Sequence, residues 1–284
     1  MKGENVSLTL SQLAELDKKL GNSLFVRPAI FEELASRGTI NVFMGAYLQR
    51  QAKEGRTDVS IWDLQTLNSL MNAVASVRRG VQFCVRAVSK LDLDFEVPDD
   101  PFGVSIFIGS PRANLWTEEA LKRMFIGRAP ASRRLPFSFF WPDMQVGGSA
   151  FSIEESELKK RRQTSVRSGP SGVSIPRTGK AYREGKLSSP RYTYGVIAAQ
   201  RRLEQIWLVL AGLTGPGTLA CAYYLENNAE RYSFAVPPAD VKEPDSVVVW
   251  GAIEAKIHEN GAQGDDRSVR REEVRSVLEP QRWP

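Results

Sequence analysis

Histidine and cysteine are nearly absent from this chain. His258 is the single histidine, and Cys84 and Cys221 are the two cysteines. These are too few nitrogen and sulfur ligands to close a zinc site, so no metal is expected. The cysteines lie far apart, and residues 1–11 are polar and mixed, without the apolar stretch of a secretory signal. A reduced, cytoplasmic setting is the expectation. A Ser-His-Asp or Cys-His apparatus would have to recruit His258, which sits in a strand-like segment and reads as a partly exposed strand histidine.

Long unbroken apolar runs are also scarce. Residues 206–225 approach the roughly 20 apolar residues that span a bilayer, but Gly212, Gly215, Pro216 and Gly217 interrupt them. Those residues would break a membrane helix and suit a turn from strand to helix. No membrane segment is expected. Acids are missing between Leu208 and Leu225, which leaves the positive end of a helix dipole uncompensated there.

What is present fits a globular chain. Its 284 residues suffice for one large domain or two modest ones, and a formal charge of +5 gives a mild basic bias toward anionic partners. Residues 8–91 carry a helical pattern: Leu10, Leu13, Leu16 and Leu20 recur at helical spacing, a second helix runs from Pro28 to Arg37, and a third covers residues 40–53. Ser60 starts a longer one with Ile61, Leu64, Leu67, Leu70, Met71, Val74 and Val77 along it. Residues 81–88 read as its continuation or a strand. The expectation is a helical domain over residues 1–97, acting as an oligomerisation module or lid; a helix-turn-helix reading would use Arg78, Arg79 and Arg86 on phosphates.

The acidic, Pro-containing segment near Pro98 marks the expected boundary. Residues 98–262 read as an α/β domain with a Rossmann-like, mostly parallel sheet and flanking helices. Its strands are residues 104–108, 137–141, 206–210, 233–236 and 247–257, with residues 192–199 a strand or a strand running into a helix start. Thr117 is positioned to cap a helix through Phe125. A basic loop over residues 154–189 contains the Lys159–Arg162 run, which could meet nucleic acid or an acidic partner. Residues 263–284 read as a charged tail, a short helix or mobile segment.

Two turns carry the chemistry. After the strand at 104–108, Gly109 permits close approach, Ser110 and Asn114 offer hydrogen bonds, and Arg112 can fork onto a phosphate or carboxylate. Glu118 and Glu119 occupy the following first helical turn, where each stabilises the dipole by about 0.3–1 kcal/mol and competes with an anion. That turn suits sugar hydroxyls or caps itself. After the strand at 206–210, Thr214, Gly215, Gly217 and Thr218 read as a phosphate-binding turn, although Pro216 removes one amide.

These residues resemble motifs of the Rossmann-like nucleotide-processing families typified by the lysine-decarboxylase-like phosphoribohydrolases, the SLOG sensor domains and, more loosely, the nucleoside deoxyribosyltransferases. Those families carry a Gly-Ser turn after the first strand, matched by Gly109 and Ser110, and a later PGGxGTxxE motif, matched by Gly215, Gly217 and Thr218. Leu213 and Thr214 stand where that motif has Pro and Gly, and Cys221 stands in place of its catalytic glutamate. The resemblance implies a nucleotide or nucleotide-sugar ligand, in a sensor or effector domain or an N-glycosidic hydrolase or transferase. Glu118 is then the candidate replacement acid. A nucleic-acid-associated regulator and a scaffold that has lost its ligand are the competing expectations.

Overall fold

A computed structural model describes residues 30–48, 57–89, 103–125, 135–141, 152–154, 171–184, 191–202, 205–233, 247–259 and 267–283. The chain is α/β. Helix α1 (Ile30–Ser36) ends at Gly38, whose φ of 77° suits glycine. Strand β1 (Thr39–Leu48) follows, then β2 (Thr57–Val59), helix α2 (Ile61–Val77) and β3 (Gln82–Ser89). Next come β4 (Val104–Ile108) and helix α3 (Leu115–Phe125), and then β5 (Ser138–Trp141), β6 (Ser152–Glu154), β7 (Gly172–Ile175) and β8 (Lys180–Arg183). The chain closes with β9 (Arg191–Arg202), β10 (Gln205–Gly212), helix α4 (Gly215–Asn227), β11 (Val248–Glu259) and β12 (Arg267–Trp283).

Eight strands form the main sheet in the order β12-β11-β9-β10-β4-β1, with β3 on the outer edge of β1 and β2 continuing where β4 stops. Strands β3, β1, β4 and β10 are mutually parallel, while β9, β11 and β12 extend the sheet as an antiparallel meander. The alternation of side chains explains the layers. Ile40, Val42, Ile106, Leu208 and Leu210 point into one core with α1, α2 and α4. Phe43, Phe107, Trp207 and Trp250 point into another with α3 and the second sheet, ordered β6-β5-β7-β8. Both faces of β1, β4 and β10 are therefore covered, as buried parallel strands require, while β3 at the edge is largely exposed.

Several expectations change. The helix expected over residues 40–53 is strand β1 over its first part, at the heart of the sheet, because Ile40 through Met44 find ladder partners on both edges. Residues 81–88 also form a strand. The region expected as a helical domain thus contributes β1, β2 and β3 to the sheet that contains β4, and the sheet runs unbroken across the expected boundary at Pro98. Of the tail expected at 263–284, Arg267–Trp283 form the long strand β12, held by β11. Within the expected basic loop, β7 and β8 are ordered strands, and Val173 and Ile175 are buried. The Lys159–Arg162 run and the helix expected over residues 8–20 lie outside the described residues. So does most of the strand expected at 233–236; Ser233 itself closes a short 3-10 turn (Ala229–Tyr232).

Helix α4 sits tightly on β9. A Cβ on Gly217 would lie 2.6 Å from the Tyr194 carbonyl oxygen and 2.8 Å from Thr193 Oγ1. Backbone cannot yield as a flexible side chain can, so Gly217→Ala is expected to destabilise by about 1–3 kcal/mol. The midpoint of thermal unfolding should fall by several degrees, and an unchanged midpoint would contradict this packing.

Candidate ligand site at the carboxyl edge

Parallel strands deliver both turns to one edge. Ile108 of β4 pairs with Leu210 of β10, and the Gly109 amide donates to the Leu210 carbonyl at 3.0 Å. The turn at 109–114 and the turn at 212–218 therefore leave neighbouring strands side by side, as ligand-binding turns of open α/β sheets do. Gly109 has φ of 116°, a conformation that only glycine adopts without strain.

The start of α2 reaches the same edge. Strand β2 pairs with the last residues of β1, and Ser60 then caps α2, its side chain accepting from the Trp62 amide at 3.3 Å. Trp62 packs over Gly215, leaving no room for a Cβ there, and Asp63 Oδ2 lies 3.3 Å from where a Cβ on Gly109 would sit. One helical turn thus touches both edge turns.

Asp63 is only 3 % exposed. Burial carries its carboxyl up to about 7. It had no place among the candidates from sequence. Its signal is an acid three residues after a Ser cap, but that signal has meaning only once β1 and β2 place the cap at the sheet edge. Trp62 was missed for the same reason, and Thr193 because only the pairing of β9 with β10 brings it beside Thr214. Thr193, at the start of β9, brings its Oγ1 within 2.7 Å of Thr214 Oγ1.

The expected residues divide into two sets. Gly109, Ser110, Thr214 and Gly215 share this edge, and the Arg112 guanidinium stacks 5.7 Å from the Trp141 ring centroid at the end of β5. Ser110 Oγ accepts from the Arg112 amide at 3.1 Å and so shapes its own turn. Thr214 caps α4 without a side-chain hydrogen bond to the first-turn amides, which leaves its hydroxyl on Thr193. Asn114, Gly217 and Thr218 instead turn inward. Asn114 is fully buried and donates to the carbonyls of Phe43 and Ile108 at 3.1 and 2.9 Å while accepting from the Trp116 amide at 2.9 Å. This makes Asn114, rather than Thr117, the cap of α3. Thr218 is buried and its hydroxyl donates to the Thr214 carbonyl at 3.3 Å.

Glu118 is buried in the first turn of α3, with Lys122 Nζ 3.8 Å away. Cys221 lies wholly inside the core between α4 and the sheet, near the Val196 and Ala211 carbonyls, and burial pushes its thiol far up. A thiol so disfavoured as thiolate is packing, not a nucleophile. His258, on β11, is paired with Glu273 of β12. Among the described residues, no group of three metal-ligating side chains comes together, and no helix is long and apolar enough to cross a membrane.

Compared with protein families, with curated proteins and with solved structures, the chain finds no match.

Proposed function

We propose that this chain is a Rossmann-like domain that binds a nucleotide or nucleotide sugar at the carboxyl edge of β4 and β10, acting as a sensor or effector. One observation carries the reading: the first turn of α2 meets both edge turns, placing Asp63, whose buried carboxyl titrates at about 7, beside Gly109 and Trp62 against Gly215. A buried acid with a raised pKa, between small-residue turns at the carboxyl ends of parallel strands, is the arrangement that binding and catalytic sites favour. Arg112 supplies charge for a phosphate, and the uncompensated start of α4 supplies a second attraction.

N-glycosidic cleavage is the narrower form of this reading. Asp63, poised near neutrality, is then a better general acid or base than Glu118. The nucleic-acid alternative has less to draw on, since Arg78 donates to the Ala35 and Ser36 carbonyls and Arg86 lies over Phe43.

Thermal-shift titration with nucleoside mono- and triphosphates, dinucleotides and nucleotide sugars tests it. A ligand at a hundredfold its Kd should add about 2.7 kcal/mol, and Arg112→Ala should weaken a phosphate-bearing ligand tenfold or more. Chromatography of the same mixtures detects any released base. Stability that is unmoved by the whole panel overturns the proposal.

A further inference from the structure

Helices α2 and α4 each carry a single charged residue, Asp63 and Glu226, and neither is given to solvent. Asp63 is buried, and the Glu226 side chain is 13 % exposed. Glu226 stands next to the last residue of α4, where an acid opposes the helix dipole and a cation is the ordinary choice. Its place is explained by what it holds. One oxygen accepts from Ser69 Oγ on α2, a buried residue, while the other takes Nη1 of Arg271 on β12. The Arg271 guanidinium in turn lies 4.5 Å from the Tyr223 ring centroid, so the carboxylate is braced from the strand side.

We infer that Glu226 is a positioning residue for the acid of the carboxyl-edge site: by holding Ser69 it fixes the roll of α2 that aims Asp63 at Gly109. Its bearing on function rests on the ligand site proposed above. Trp62 and Ser69 lie about two turns apart on the same stripe of α2. Trp62 meets Gly215 at the start of α4 and Ser69 meets Glu226 near its end, so the two helices run in the same direction with two contacts along that stripe. Leu67, Leu70 and Val74 add apolar packing, but burial of apolar surface is non-directional and tolerates a small roll of the helix. A hydrogen bond to a carboxylate does not. Asp63 directly follows Trp62, and its Oδ2 lies 3.3 Å from where a Cβ on Gly109 would sit. A roll that releases Ser69 moves this carboxyl off Gly109 and lets water reach it, which brings its titration back toward the ordinary aspartate range. Arg112, the charged residue of the facing turn, is stacked on Trp141.

Carbon NMR titration of the side-chain carboxyls of the full chain tests the inference without a ligand, the Asp63 signal being assigned by its absence from Asp63→Asn. The wild type should titrate at about 7. Ser69→Ala and Glu226→Ala should each lower that midpoint by about 1 pH unit or more. Glu226→Gln keeps an oxygen for Ser69 and should hold the midpoint near the wild-type value. The signal comes from folded molecules, so a general loss of stability leaves the midpoint in place, and the milder Ser69→Ala carries the test if Glu226→Ala does not fold. A midpoint unmoved by the alanines overturns the inference, and so does a glutamine variant that shifts as far as alanine. A wild-type midpoint near the ordinary aspartate value overturns it as well. The nucleotide panel separates this inference from the ligand reading. Silence across the panel with a moved midpoint removes the ligand reading alone, whereas a nucleotide that binds while the midpoint stays fixed removes the role of Glu226 alone.

Discussion

Asn114→Ala is expected to lower the stability of the fold by about 3 kcal/mol, one of the two largest effects predicted for any single side chain here. The buried amide stitches β1 to β4 through the Phe43 and Ile108 carbonyls and caps α3 through the Trp116 amide. Loss of a cap costs about 1 kcal/mol. Removing a donor from two buried carbonyls costs about 2 kcal/mol more, moderated by whatever ladder bonds those carbonyls keep. Asn114→Asp separates the two contributions. It keeps an oxygen for the Trp116 amide but sets a second oxygen against the two carbonyls, so it should destabilise at least as much as alanine despite an intact cap. Urea unfolding reads both, as a lower midpoint with an unchanged slope. A variant as stable as the parent would mean that the turn at 109–114 is held by something other than this side chain.

Asn114 also shows how far sequence reaches at this site. A polar residue after a Gly-Ser turn is equally suited to a ligand and to its own backbone, and only the position of β1 decides between them. With β1 beside β4, the Phe43 carbonyl is within reach and the side chain is fully used. The glycines around residue 215 tell the same story. They read as a phosphate cradle, yet Gly215 makes room for Trp62 and Gly217 lets α4 approach β9. These contacts are long-range, and no local pattern contains them.

The strands that were legible are the ones whose burial is written locally. The apolar runs of β4 and β10, closed by Gly-rich turns, have every described residue buried, and a strand covered on both faces needs just such a run. Strand β1 is equally buried through its centre, but Ile40, Phe43, Met44 and Tyr47 also fall at helical spacing, so periodicity alone could not choose. Strand β12 failed for the opposite reason. Its Arg- and Glu-rich sequence favours a helix, and pairing with β11 overrides that preference, while the charges suit an edge that must not recruit other strands. Missing β1 and β2 concealed Asp63, because a helix-start acid becomes a site residue only when the helix starts at the sheet edge.

Above pH 8, Asp63→Asn is expected to be more stable than the parent chain, a reversal of the usual effect of altering a buried polar group. In the unfolded chain the carboxyl titrates near 3.8, and in the fold near 7. Between those values the folded state binds more protons than the unfolded state, so stability falls as pH rises through the window. The contribution is fully present below pH 4 and is lost above pH 7, a difference of about 4 kcal/mol for a shift of this size. Asparagine has nearly the same shape and no charge to desolvate. The two proteins should therefore match near pH 4 and separate progressively toward pH 8, as measured by urea midpoints across the range. Parallel profiles would show that Asp63 is not the titrating group. The same substitution should weaken any ligand that donates a hydrogen bond to the carboxylate. Such a ligand draws the carboxyl pKa down on binding, and at pH 6.5 it should release a proton, seen as a binding enthalpy that changes with the ionisation heat of the buffer. A side chain that lowers the stability of the empty fold at neutral pH and strengthens the bound one is doing chemistry for the ligand rather than for the fold.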